Sequence, residues 1–114
     1  MKDTADLLEL KGKTISDEEG FLINSDDWSE DVGRSLCAKD GLLPTDSHWE
    51  VILFIRSYYE HYRTEPMTKI IIGGLNKRRG ETRYNIKYLY DLFPNTPVLL
   101  LCKYAGLPKP SKCS

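Results

Sequence analysis

The sequence predicts an α+β domain in which an N-terminal three-stranded antiparallel meander packs on an array of about five helices, with an extended C-terminal arm. Three observations predict it. Short apolar runs alternate with tight turns over residues 7–23, apolar positions recur at helical spacing from there to residue 106, and two prolines then forbid further helix. At 114 residues the chain has the length of one domain, too short for a multidomain enzyme or a barrel. A composition 40% hydrophobic and 29% charged excludes wholesale disorder. No stretch approaches the ~20 apolar residues of a membrane span. Met1 to Asp6 has no apolar core of the kind a secretory signal needs, so a cytoplasmic protein without membrane insertion is expected.

The meander is read from Leu7 to Leu10, the turn Lys11-Gly12-Lys13, Thr14-Ile15, the polar turn Asp17 to Gly20, and Phe21 to Ile23. Ser25 to Asp27 offer N-cap oxygens, and Ser29-Glu30-Asp31 puts acids in a first helical turn. Val32, Leu36 and Cys37 carry that helix to Gly41. Pro44-Thr45 opens a second helix, rich in apolar residues from Trp49 to Tyr59, expected to be central to the core and to close near Arg63. Pro66 suits the first turn of a third helix with Met67, Ile70, Ile71 and Leu75 on its apolar side. Gly73-Gly74 weakens that helix by roughly 1 kcal/mol per glycine and marks either close backbone packing or a fray. Lys77-Arg78-Arg79 favours its C-terminus and Gly80 stops it. A fourth helix is read over about Tyr84 to Phe93, and a fifth from the Thr96-Pro97 cap through Cys102 to Gly106. Residues 1–106 thus form a single globular domain, and 107–114 a mobile arm carrying Cys113.

Chemistry concentrates at that end. A fully extended arm from Leu107 to Cys113 spans roughly 20 Å at about 3.1 Å per residue. It places one thiol at its tip and another, Cys102, on the helix at its base, with Lys103, Lys109 and Lys112 favouring thiolate. Two thiols, one of them mobile, allow a relay in which the tip exchanges an electrophilic sulfur and the base thiol resolves the adduct. The bland alternative is a frayed tail with an incidental cysteine. Cys37, on an apolar stripe, reads as a buried structural residue. His48 reads as a capping or surface residue, and Trp28, Trp49 and the tyrosines as core and rim. His48 and His61 with Cys102 and Cys113 match no standard zinc spacing, and neither a metal nor a cofactor is expected.

Charge is lopsided. Residues 1–60 hold 14 acids against 6 bases, whereas residues 61–114 hold 10 bases against 3 acids. The halves attract each other within one fold, or the basic set Lys77, Arg78, Arg79, Arg83 and Lys87 faces an anionic partner. Consecutive helices with short turns also fit a helix-turn-helix nucleic-acid binder. A pI near 6.1 argues against strong nonspecific nucleic-acid affinity.

The run Cys102 to Cys113 resembles the C-terminal signature of the DsrC/TusE sulfur-relay family. So do Glu19 to Leu22, Asp27 to Val32, His48 to Ile52 and Lys87 to Pro94, in the family's order over nearly the whole chain. The resemblance implies a sulfur carrier with Cys113 as the working thiol. Members with a second cysteine at the position of Cys102 resemble DsrC, the gamma subunit of dissimilatory sulfite reductase; those without it resemble TusE, which serves tRNA thiolation. With both cysteines present, the resemblance implies a carrier and co-substrate of dissimilatory sulfite reductase rather than a stand-alone enzyme. Cys113 would take partly reduced sulfur and form a trisulfide or disulfide with Cys102. The implied partners are the alpha and beta subunits of that reductase, a membrane-bound disulfide-reducing complex and sulfurtransferases. The alternatives are a TusE-like relay, which needs only Cys113, and the nucleic-acid binder. Lys112 and Ser114 stand where the family pattern has glycine and an apolar residue.

Overall fold

The computed structural model describes residues 8–64, 66–80, 84–94 and 96–110. Strands β1 (Glu9–Leu10) and β2 (Lys13–Thr14) pair antiparallel, with Glu9 opposite Thr14 and Leu10 opposite Lys13. Lys11 and Gly12 make the turn, both at positive φ (53° and 79°), as a two-residue hairpin compatible with strand twist requires.

The expected third strand is not formed. Its run, Phe21 to Ile23, makes a single antiparallel bridge, Ser16 to Leu22. The Asp17 carboxylate accepts from the backbone N–H of Glu19 and of Phe21, both at 2.9 Å, closing the loop before the run. Immediately after it, the Asn24 side chain accepts from the Asp26 N–H and caps a 3₁₀ turn over Ser25–Asp27. Side-chain bonds that nucleate turns on both sides leave too few residues for a ladder. Ile15, Phe21 and Leu22 are nevertheless buried in the core.

Five helices follow: α1 (Glu30–Lys39), α2 (Asp46–Tyr62), α3 (Thr68–Arg79), α4 (Ile86–Leu92) and α5 (Pro97–Tyr104). Ser29, not Ser25 to Asp27 as expected, caps α1 by accepting from the Val32 N–H, because the 3₁₀ turn takes up those residues. Thr45 and His48 close a reciprocal capping box on α2. Thr68 rather than Pro66 opens α3, because the Pro66 ring is fully buried and Met67 is extended. Asn85 caps α4, leaving Tyr84 outside it; the Asn76 amide instead bonds both the N–H and the carbonyl of Tyr84 and ties α3 to the entrance of α4. The two adjacent glycines of α3 divide between the two readings. At Gly74 a Cβ would lie 2.3 Å from the Phe54 ring, whereas at Gly73 it would meet nothing within 4 Å.

The expected central helix, α2, packs on α3 and α5. The hub is α5, which touches α1, α2 and α4 and buries Val98, Leu101, Cys102 and Tyr104. The described residues contain no helix long and apolar enough to cross a membrane.

Candidate functional site: the base of the C-terminal arm

Helix α5 stops because glycine follows its last turn. Gly106 adopts φ +74°, and the chain closes with two bonds, Gly106 N–H to Lys103 O at 3.3 Å and Leu107 N–H to Cys102 O at 2.9 Å. This pair of reversed bonds is a Schellman cap. It leaves the carbonyls of Tyr104 and Ala105 without helical partners, and two distant side chains satisfy them. Trp28 Nε1–H donates to Tyr104 O at 2.8 Å, and Arg56 Nη1 donates to Ala105 O at 3.2 Å. With the Ala105 N–H on Leu101 O, every carbonyl from Leu101 to Ala105 is bonded. The Arg56 cation also lies where the helix dipole favours positive charge.

These side chains brace one another. Arg56 lies over the Trp28 ring, 5.1 Å from its centroid, and donates to Ser25 Oγ at 2.7 Å and Ser25 O at 3.0 Å. Trp28 packs so closely on the chain that a Cβ at Gly106 would sit 2.5 Å from its Cδ1. At Gly33 of α1 a Cβ would lie 3.1 Å from Trp28 Nε1 and 3.2 Å from Tyr104 O. Three segments thus converge on one helix end and aim the arm.

Asp40, capping the far end of α1, accepts from Lys103 Nζ at 3.1 Å and from the Tyr104 hydroxyl at 2.8 Å. Burial, and then that hydrogen bond, push the Tyr104 phenol well above its ordinary range. Lys109 Nζ donates to Glu19 at 2.9 Å. Leu107 and Pro110 are buried while Pro108 and Lys109 are exposed, so the described part of the arm lies along the domain. A polar cavity of about 520 Å³ beside it is lined by Glu18, Glu19, Lys39, Asp40 and Lys103.

The sequence-predicted residues are placed unequally. Cys102 sits on α5, 1% exposed. Cys113 and Lys112 lie outside the described residues, as do Arg83 and the Arg79 side chain. Lys103 and Lys109, expected to bias a thiol, are engaged by Asp40 and Glu19 from the acidic half. Cys37 is fully buried, and burial followed by the Asp40 charge pushes its thiol up to about 12. His48 caps α2 as expected but is buried. Its Nδ1 accepts from the Thr45 N–H, so the proton falls on Nε2, which donates to Leu92 O at 3.0 Å. His61 lies at the other end of α2, about 20 Å along the axis. Trp28 and Arg56 were missed as site residues. The only signal for Arg56 is a lone cation within an apolar helix, and Trp28 reads like any core or rim aromatic.

Together, fold and arm define a small α+β domain ending in a braced, proline-stiffened segment with a cysteine at the penultimate position. Comparison with known proteins makes this more specific. The family model described as DsrC like protein matches residues 9–114. The curated sulfurtransferase TusE of Yersinia pestis is 41% identical over 108 residues, covering 94% of this chain and 99% of the relative. Among solved structures, Allochromatium vinosum DsrC superposes with a TM-score of 0.81 at 41% identity, covering 96% of this chain and 98% of that one. The oxidized gamma subunit of the dissimilatory sulfite reductase from Archaeoglobus fulgidus gives 0.77 at 33% identity, covering 95% and 99%. The chain belongs to the DsrC/TusE family of sulfur-relay proteins.

Proposed function

We propose that this protein is a TusE-like sulfurtransferase that carries persulfide sulfur on Cys113. The Cys113 thiolate attacks the outer sulfur of a donor cysteine persulfide; the donor's S–S bond breaks and the donor leaves as thiolate. Cys113 then holds the persulfide until an acceptor thiolate removes the sulfur by the same exchange, with no net redox change. The observation that carries this reading is the nearly end-to-end match to curated sulfurtransferases of the same size. The braced end of α5 supports it, because a stable take-off limits the conformational entropy lost when the arm docks. In this reading residues 1–106 are the rigid body and 107–114 the moving arm. The exposed Lys109–Glu19 pair, worth at most about 1 kcal/mol, is a releasable tie.

A second reading is favoured by one residue, Cys102, whose carbonyl anchors Leu107 at the root of the arm. Here the protein serves dissimilatory sulfite reductase: the reductase supplies two electrons that bring sulfite sulfur to the S(II) level, the thiols of Cys113 and Cys102 supply two more as both bond to that sulfur and its oxygens leave as water, and the resulting trisulfide is held until a disulfide-reducing complex releases the sulfur as sulfide. One experiment tests both. The protein is treated with a low-molecular-weight cysteine persulfide, passed to an acceptor thiol, and weighed intact at each step. The first reading expects one added sulfur on wild type and on Cys102→Ser, transferable in both, and none on Cys113→Ser. An adduct unaltered by Cys113→Ser overturns both readings. An internal disulfide, formed when the Cys102 thiolate displaces sulfide from the Cys113 persulfide and lost in Cys102→Ser, together with failed transfer, replaces the first reading with the second.

A further inference from the structure

The face of α2 turned away from the arm carries a groove that the sulfur relay does not use. Phe54, Tyr58 and Tyr62 form a ladder along it at one-turn spacing, their ring centroids 6.5 and 4.5 Å apart. With α3 they enclose about 850 Å³, open to solvent. Tyr62 is 59% exposed, and Ile70, on the opposite wall, is 41% exposed. Gly74 lets Phe54 close against α3, and Gly73 leaves the floor open. Arg56, which braces the arm, lies about 200° round α2 from both Phe54 and Tyr58. Groove and arm therefore occupy opposite sides of the helix.

The charge of the groove is one-sided. Lys77 and Arg78 rim it, and His61 lines it; among the described residues no Asp or Glu does. Among the described residues neither Lys77 nor Arg78 is in an ion pair. Because Gly74 faces Phe54, Lys77 and Arg78 lie at the Phe54 end, and the Tyr62 and Ile70 end is lined by aromatic and aliphatic side chains with His61 packed on Tyr62. The apolar length, from Phe54 to Tyr62, is about 12 Å, or roughly two helical turns. Contiguous exposed apolar surface of this kind marks an interaction site.

We infer that this groove docks a partner protein through an amphipathic helix of about two apolar turns with acidic residues at one end. An apolar stripe at i, i+4 and i+7 fits the aromatic wall, and acids in the adjoining turn meet Lys77 and Arg78. The rings pack on one another instead of standing apart as stacking platforms, and the cations cluster at one end. Both features favour a peptide over a single-stranded nucleic acid, whose backbone needs charge along its path.

The probe is a fluorescein-labelled helical peptide with three glutamates in its first turn followed by leucines at i, i+4 and i+7, titrated against the full chain by anisotropy and NMR. Saturable binding is expected, with shifts confined to α2 and α3. Lys77→Glu/Arg78→Glu should weaken it at least tenfold, as should replacing the peptide's glutamates by lysines. Gly73→Gln fills the groove where a Cβ meets nothing and should also abolish binding without unfolding the chain. Persulfide loading of Cys113 should be unchanged in both variants, separating this test from that of the relay. Absence of saturable binding, shifts outside the groove, or equal competition by a single-stranded oligonucleotide would overturn the inference. So would self-association abolished by Gly73→Gln, which assigns the groove to a second copy.

Discussion

Gly106→Ala probes the brace at its tightest point. Alanine at φ +74° carries a left-handed strain of about 1 kcal/mol. Its methyl would also stand 2.5 Å from Trp28 Cδ1 and 2.8 Å from Trp28 Cβ, against an optimal carbon separation of about 3.5–4.0 Å. Relieving that overlap displaces an indole whose N–H is bonded to Tyr104 O, at about 1–3 kcal/mol for an overpacked site. The sum, about 2–4 kcal/mol, lowers Tm by about 8–16 °C in a domain of this size. Gly80 supplies the control, since it has φ +64° at the end of α3 with nothing within 4 Å of a Cβ. Gly80→Ala should therefore show the strain alone, about 1 kcal/mol or about 4 °C. Thermal unfolding followed by circular dichroism measures both. Equal drops at the two positions would refute the packing argument. The Gly106→Ala/Trp28→Ala pair should be less destabilised than the sum of its single variants, because removing the indole removes the overlap. Strict additivity would count equally against it.

Arg56→Ala strands the Ala105 and Ser25 acceptors and should lose about 3 kcal/mol in urea unfolding, with Arg56→Lys recovering only part because an ammonium lacks the planar fork; a loss below about 1 kcal/mol would show that the bonds to α5 are not stabilising. Cys37 is protonated in the folded protein up to about 12 but titrates near 9.0 when unfolded, so its contribution is complete below pH 9 and declines as pH rises toward 12. Cys37→Ala should flatten the alkaline fall in stability, and Cys37 should resist iodoacetamide at pH 8 in the native state; rapid native alkylation there would contradict its burial. Arg63 closes α2 at φ 59°, so Arg63→Gly should raise stability by up to about 1 kcal/mol in thermal unfolding, and a decrease would mean that its packing over Tyr59 outweighs the strain.

Helix ends were legible because each depends on residues within one turn. Thr45 and the Thr96-Pro97 pair stand at the starts of α2 and α5, and Gly80 and Gly106 just past the ends of α3 and α5, whereas Ser25 to Asp27, read as the cap of α1, form their own 3₁₀ turn and leave the capping to Ser29. Where the reading slipped, a local competitor had been overlooked. Asp17 and Asn24 spent backbone donors on turns and left the third strand a single bridge, and burial of the Pro66 ring moved the start of α3 to Thr68.

By itself, then, the chain's order of residues determined that there are five helices, where α2 and α5 begin, close to where each of the five ends, and that two cysteines with ten residues between them bracket a proline-stiffened tail. Tertiary structure alone decided that Trp28 and Arg56 hold the carbonyls of Tyr104 and Ala105, across separations of 76 and 49 residues. It also decided that His48 reaches Leu92 and that Lys103 on α5 and Lys109 on the arm meet acids from the other half of the chain. Caps and turns arise from neighbours whose proximity the backbone guarantees, so they leave a pattern in the sequence. Bonds between distant segments exist only once packing has brought their surfaces together, and neither periodicity nor propensity records them beforehand.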